Sequence, residues 1–201
     1  MGIMLQRSLR DPVARIIQPF VGFLVKIGVT ANIISTLGGV GSTMSALYFF
    51  PRGEFIIGVV AVTFFVLFDL FDGAVARASQ SGESAWGALL DSTLDRISDA
   101  AIFIGGLLFF LKTSDRLIVI FLIAATASFL VSYIRARAES LSIKCDGGFA
   151  ERSERLIILL VAYGLHGLGL NYAMAIGVWL VAILSIVTVL QRMMIVYKAV
   201  N

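Results

Sequence analysis

Residues 54–77 read EFIIGVVAVTFFVLFDLFDGAVAR, and this stretch decides the fold. From Phe55 to Phe68 only Gly58 and Thr63 interrupt an apolar run, and continued to Ala76 it reaches the roughly 20 residues a membrane-crossing helix needs. Asp69 and Asp72 stand three apart near its end, one above the other on a helix face. Asp91 and Asp95 stand four apart in the next apolar stretch. A carboxylate at bilayer depth costs roughly 2.5–3.5 kcal/mol, so four of them need a compensating charge. A divalent cation in a hydrated cavity is the natural one.

Working outward, the chain of 201 residues is 59% hydrophobic and 14% charged, with a mean hydropathy of +0.95. Soluble domains run to about 45–50% apolar and about 25% charged, so the composition indicates an integral membrane protein. Cys145 is the single cysteine and His166 the single histidine. That excludes an internal disulfide and leaves imidazole chemistry almost no material. Catalysis would fall to carboxylates, arginines and lysines.

The pattern predicts an all-α integral membrane protein, a single domain over 1–201. Six transmembrane helices, at 33–50, 54–76, 88–111, 117–134, 156–170 and 172–191, form a bundle over 33–191. Breakers such as Pro51-Arg52-Gly53 separate them. Ahead of them, 5–27 carries Val13, Ile16, Ile17, Phe20 and Leu24 at helical spacing among basic residues, which predicts an amphipathic juxtamembrane helix. No cleavable leader is expected. With both termini on one side, Arg52, Lys112 and Arg116 fall on the other and Arg96 lies within a span. The remaining twelve of the sixteen Lys and Arg share the terminal side. The positive-inside rule therefore predicts a multi-pass protein of the cell membrane with cytoplasmic termini.

On this topology all four aspartates meet in the cytoplasmic third of the bilayer. Asp72 and Asp69 lie about 8 and about 12 Å from Arg77 along the helix. Oxygen ligands at this density suit Mg²⁺, Mn²⁺ or Ca²⁺. Gly73 and Ala76 lie on the aspartate side, and Gly87 precedes Asp91 by a turn, leaving room for a ligand. Arg77 adds a fork suited to phosphate. Together they describe a cytoplasmic site for a pyrophosphate-containing substrate.

Written out, Asp69-x-x-Asp72-Gly73-x-x-Ala76-Arg77, nine residues, Gly87-x-x-x-Asp91-x-x-x-Asp95 resembles the signature of the CDP-alcohol phosphotransferases, membrane enzymes that join a CDP-linked group to an alcohol. The resemblance implies two Mg²⁺ per active site (Mn²⁺ being possible) held by Asp69, Asp72, Asp91 and Asp95, with Asp95 as base for the acceptor hydroxyl. It implies that Gly73 and Arg77 contact the CDP group, joined by Asp69 and Ala76. Residues 29–35 resemble the family's nucleotide-contacting stretch, which adds Asn32, Ile33, Ile34 and Ser35; Ala31 stands where relatives often carry proline. Ser84 occupies a position where relatives place a hydroxyl near the nucleotide. A homodimer among membrane lipids is expected, and no nucleic acid.

Arg135, Arg137, Arg152, Arg155 and Arg192 fall at cytoplasmic helix ends, which favours an acceptor bearing a phosphate. Within the family, residues 68–99, 135–139 and 148–152 look most like the actinobacterial phosphatidylinositol phosphate synthases. Their substrates would be CDP-diacylglycerol and inositol phosphate; the alternative is transfer to glycerol 3-phosphate, giving phosphatidylglycerol phosphate. A different class, an ion-coupled transporter, would need polar residues continuing to the far side, whereas 56–68 and 100–110 turn apolar. Asp99 continues the stripe and is expected to pair with Arg96. His166 is expected in an external loop and Cys145 as a bystander. Gly38-x-x-x-Ser42 and Gly41-x-x-x-Ser45 predict close helix packing inside the bundle.

Overall fold

The computed structural model describes residues 22, 25–68, 71, 74–75, 84–113 and 117–200, and among these every regular element is helical. Helix α1 (Ala31–Phe49) runs into a 3-10 turn (Phe50–Arg52) and is followed by α2 (Phe55–Val66). Then come α3 (Ala85–Thr113), α4 (Leu117–Ser140), α5 (Arg152–Gly167) and α6 (Asn171–Val200). Three helical runs, Ala31–Arg52, Leu117–Ser140 and Asn171–Val200, are long and apolar enough to cross a membrane. The expected interfacial helix over 5–27 lies, apart from residues 22 and 25–27, outside the described residues.

The helix ends differ from expectation where polar residues continue a helix beyond its apolar part. Helix α4 carries on past residue 134 to Ser140, so Arg135 and Arg137 are helical. Helix α5 starts at Arg152 rather than 156, because Glu151 and Glu154 form a reciprocal capping box. It ends at Gly167, which places His166 in a helix and not in a loop. There its ring meets Phe55 edge-on at 5.0 Å.

The chain divides into two compact units, Met1–Met44 with Ala61–Ser98, and Ser45–Val60 with Asp99–Asn201. In the first, the glycine stripe of α1 permits close approach. A Cβ on Gly38 would lie 3.0 Å from the Phe65 carbonyl oxygen, and one on Gly39 2.8 Å from Leu94 Cβ. One on Gly41 would run into the Phe65 ring. Side chains are left out where helices meet. At the start of α1, Ile34 and Val75 are buried together beneath Val25, Val29, Phe68 and Phe71.

The second unit is built around Tyr163, Phe50, Phe121 and Ile102, all fully buried. The Tyr163 hydroxyl donates to the Ile102 carbonyl at 2.8 Å, satisfying the one polar atom that its burial would otherwise strand. Its ring meets Phe50 edge-on at 4.5 Å. Helices α4 and α6 share a seam in which Ser128 and Ser185 hydroxyls bond at 3.1 Å. Outward-facing α6 residues, among them Ile176, Trp179, Ile183 and Leu190, are large, apolar and exposed, a surface suited to lipid.

Candidate active site

In the first unit the site begins at two helix starts. Ser84 caps α3: its hydroxyl accepts from the Gly87 N–H at 2.9 Å, and its carbonyl from the Ala88 N–H at 3.0 Å. Thr30 does the same for α1, its carbonyl accepting from Ile33 and Ile34 at 3.1 and 3.3 Å. A Cβ added to Gly87 would meet Asn32 Oδ1 at 2.8 Å and Ser84 Oγ at 3.1 Å. Three small or polar residues singled out from the sequence, Asn32, Ser84 and Gly87, are therefore neighbours. Of the others in that stretch, Ile33 is exposed, Ile34 belongs to the core, and Ser35 Oγ donates to the Ala31 carbonyl at 3.2 Å.

Asp91 and Asp95 sit further along the same helix. Four residues of α3 rise about 6 Å, so the two carboxylates stack on one face a turn apart. Both are partly buried. The Arg96 guanidinium approaches Asp95 at 3.5 Å, and Ser98 Oγ donates to the Asp95 carbonyl at 3.2 Å. Asp69, Asp72, Gly73, Ala76 and Arg77 lie outside the residues whose side chains are described. Among the described residues no group of three or more acidic, histidine or cysteine side chains is gathered. The pair that is described is all hard oxygen with a missing side chain one turn before it, a donor set that fits a divalent cation.

In the second unit four of the five arginines divide into two kinds, with Arg152 between them. Arg135 and Arg137 are exposed: Arg135 pairs with Glu139 at 2.9 Å and Asp146 at 3.6 Å, and Arg137 donates to Ser140 Oγ at 3.3 Å. Arg155 and Arg192 are buried, at 5% and 3% exposure. Arg155 Nη1 donates to the Ala150 carbonyl at 2.7 Å. Arg192 donates through Nε to the Gly147 carbonyl at 2.9 Å and through Nη1 to the Val131 carbonyl at 2.6 Å. Both thus hold the segment between α4 and α5. Placement at helix ends makes the five look alike; burial, which is invisible in spacing, sets Arg155 and Arg192 apart from Arg135 and Arg137.

That segment is held at nearly every residue. Phe149 N–H donates to Gln191 Oε1 at 3.1 Å, and Ala150 N–H to Thr188 Oγ1 at 3.2 Å. Gly148, at φ +127°, packs so tightly that a Cβ there would run into the Thr188 methyl. Thr188 and Gln191 are not legible in the sequence, because a hydroxyl and an amide within an apolar helix carry no spacing signal of their own.

Asp99 departs from its expected pairing with Arg96. Arg96 turns to Asp95, and Asp99 is gripped by Arg152, whose Nε and Nη2 lie 3.0–3.2 Å from its two oxygens. Neighbours on a helix are predictable from spacing, whereas this partner is 53 residues away.

Comparison with known proteins agrees with the signature. The sequence profile described as CDP-alcohol phosphatidyltransferase matches residues 28–191. The phosphatidylinositol phosphate synthase of Mycobacterium bovis is 41% identical, over 94% of this chain and 89% of its own. That of Streptomyces avermitilis is also 41% identical, over 97% of this chain and 83% of its own. Among solved structures, Mycobacterium tuberculosis phosphatidylinositol phosphate synthase with CDP-DAG bound superposes with a TM-score of 0.87 at 41% identity, covering 92% of this chain and 94% of that one. The same enzyme with manganese and citrate gives 0.82 at 39% identity, over 94% and 90%. With the profile covering most of its length and an Asp91–Asp95 stripe opening behind Gly87, this chain belongs to the CDP-alcohol phosphatidyltransferase family.

Proposed function

We propose that this protein is a phosphatidylinositol phosphate synthase, transferring diacylglycerol phosphate from CDP-diacylglycerol to inositol phosphate and releasing CMP. The observation that carries this is identity of 41% along 94% of the chain to relatives of that name. The acceptor hydroxyl attacks the phosphorus next to diacylglycerol, the bond to CMP breaks, and the hydroxyl proton passes to Asp95. Divalent cations held by Asp69, Asp72, Asp91 and Asp95, Mg²⁺ or Mn²⁺, supply neutralisation of the pyrophosphate when bound. Gly73, Ala76 and Gly87 leave the nucleotide space, and Arg77, Asn32 and Ser84 hold it in place, with Ile33, Ile34 and Ser35 shaping the start of α1 beside it.

Arg135, Arg137 and Arg152 receive the acceptor's phosphate, and Arg155 and Arg192 support them by fixing residues 147–150. Six spans over 33–191 with cytoplasmic termini, supported by the segregation of Lys and Arg to one side, complete the proposal together with an interfacial helix over 5–27 and a homodimer. The test is purified protein with radiolabelled CDP-diacylglycerol and a panel of inositol phosphate, glycerol 3-phosphate, inositol and serine. Labelled phosphatidylinositol phosphate with equimolar CMP is expected. Product with glycerol 3-phosphate alone would replace the proposal with phosphatidylglycerol phosphate synthesis.

A further inference from the structure

Asp99 lies outside the eight-residue signature, yet α3 presents it one turn beyond Asp95. Its carboxylate takes the Nε–Nη2 edge of Arg152 in a two-pronged contact, Nε at 3.2 and 3.0 Å and Nη2 at 3.0 Å. Both side chains are largely shielded, at 22% exposure for Arg152 and 18% for Asp99. A guanidinium is planar, so a carboxylate on one edge sets the plane and the heading of the opposite edge. The backbone of Arg152 is fixed as well. It is the first residue of α5, behind the Glu151–Glu154 capping box and next to Ala150, which Thr188 and Arg155 hold on both sides. The pair borders a cavity of about 20 Å³, room for one water, lined also by Arg155 and Ser128. Negative charge is favoured at the start of α5, which stabilises a resident carboxylate there.

We propose that Asp99 is a positioning residue for the acceptor: it aims the Arg152 guanidinium at the acceptor's phosphate. The inference rests on the proposed function, in which Arg152 is an acceptor contact. An arginine on a flexible stem would otherwise lose rotamer freedom each time an acceptor bound, and the carboxylate removes that loss in advance.

The test measures KM for inositol phosphate and for CDP-diacylglycerol separately, with full-length protein in lipid–detergent micelles. Asp99→Asn, isosteric but uncharged, should raise KM for inositol phosphate about tenfold while KM for CDP-diacylglycerol stays within about twofold. Asp99→Glu should recover most of the loss. Arg152→Lys, which keeps the charge but not the fork, should show the same selective defect, and Asp99→Asn added to it should cost little more. Equal rises in both KM values, or losses that multiply in the double variant, overturn the inference. Should Asp99→Asn fail to fold, Asp99→Glu and Arg152→Lys decide it by the same ratio. A wild type that uses glycerol 3-phosphate refutes the proposed function, and the KM comparison then tests Asp99 on that acceptor. Turnover of unphosphorylated acceptors alone overturns both.

Discussion

Asp95 and Arg192 show how differently two charged side chains can be held. Asp95 is partly open on its helix, near Arg96 and with Asp91 a turn before it, an arrangement suited to exchanging a proton with a bound hydroxyl. Asp95→Asn is expected to lower turnover by at least about 10³-fold while CDP-diacylglycerol still binds; transfer at the wild-type rate would remove Asp95 from the chemistry. Arg192 is nearly sealed and satisfies two backbone carbonyls, those of Gly147 and Val131. Arg192→Met removes the side-chain donor of the part-buried Gly147 carbonyl, at about 1–3 kcal/mol, and the second donor of the Val131 carbonyl within α4. A drop in melting temperature should therefore accompany any loss of activity. If the variant melts like wild type while KM for the acceptor rises, Arg192 contacts the ligand directly instead of supporting the segment. In the sequence both are simply charges near an apolar boundary. Asp95 stands out because a partner recurs at helical spacing, whereas the partners of Arg192 are carbonyls that no side-chain pattern announces.

At the scale of elements, the start of α3 and the segment before α5 do the positioning. Ser84 closes the first turn of α3 and so sets the rotation at which Asp91 and Asp95 emerge. Ser84→Ala should cost about 1 kcal/mol as a lost cap, seen as a lower denaturation midpoint. An unchanged midpoint with a raised KM for CDP-diacylglycerol would mean that the hydroxyl serves the nucleotide and not the helix. Gly148→Ala is predicted to be more damaging than its size suggests. The substitution combines a left-handed backbone with a collision against Thr188, and the whole 147–150 segment must shift. Measured against Gly169→Ala, whose glycine has φ +94° but open space around it, the difference isolates the packing contribution. Comparable losses in the two variants would show that backbone conformation alone matters. Apolar runs mark where α1, α4 and α6 lie, yet helix ends are set by polar residues (Arg135 through Ser140, and the Glu151–Glu154 box) that a search for apolar stretches stops short of.

For the whole molecule, two predictions concern charge and the membrane. Chelating divalent cations should stop CMP release and also lower the melting temperature, since carboxylates left facing one another repel and a bound ion stabilises the folded state by mass action. Added Mg²⁺ or Mn²⁺ should restore both; activity that survives exhaustive chelation would refute a metal-held site. Topology is open to cysteine labelling in a Cys145→Ser background, the native thiol being buried. A membrane-impermeant reagent applied to intact cells should modify Lys112→Cys and spare Glu139→Cys, two exposed positions on opposite ends of the proposed spans. The reverse pattern would invert the orientation.

By itself the sequence determined the membrane class, the helical periodicity and the carboxylate spacing, because each arises from composition or from neighbours a few residues apart on one helix. Tertiary structure alone decided that Asp99 meets Arg152, that Arg155 and Arg192 turn inward to backbone carbonyls, and that Gly148 lies against Thr188. Most of those contacts join residues far apart in the chain. They depend on which faces of the helices come together, and a hydrogen bond to a carbonyl leaves no trace in the order of side chains.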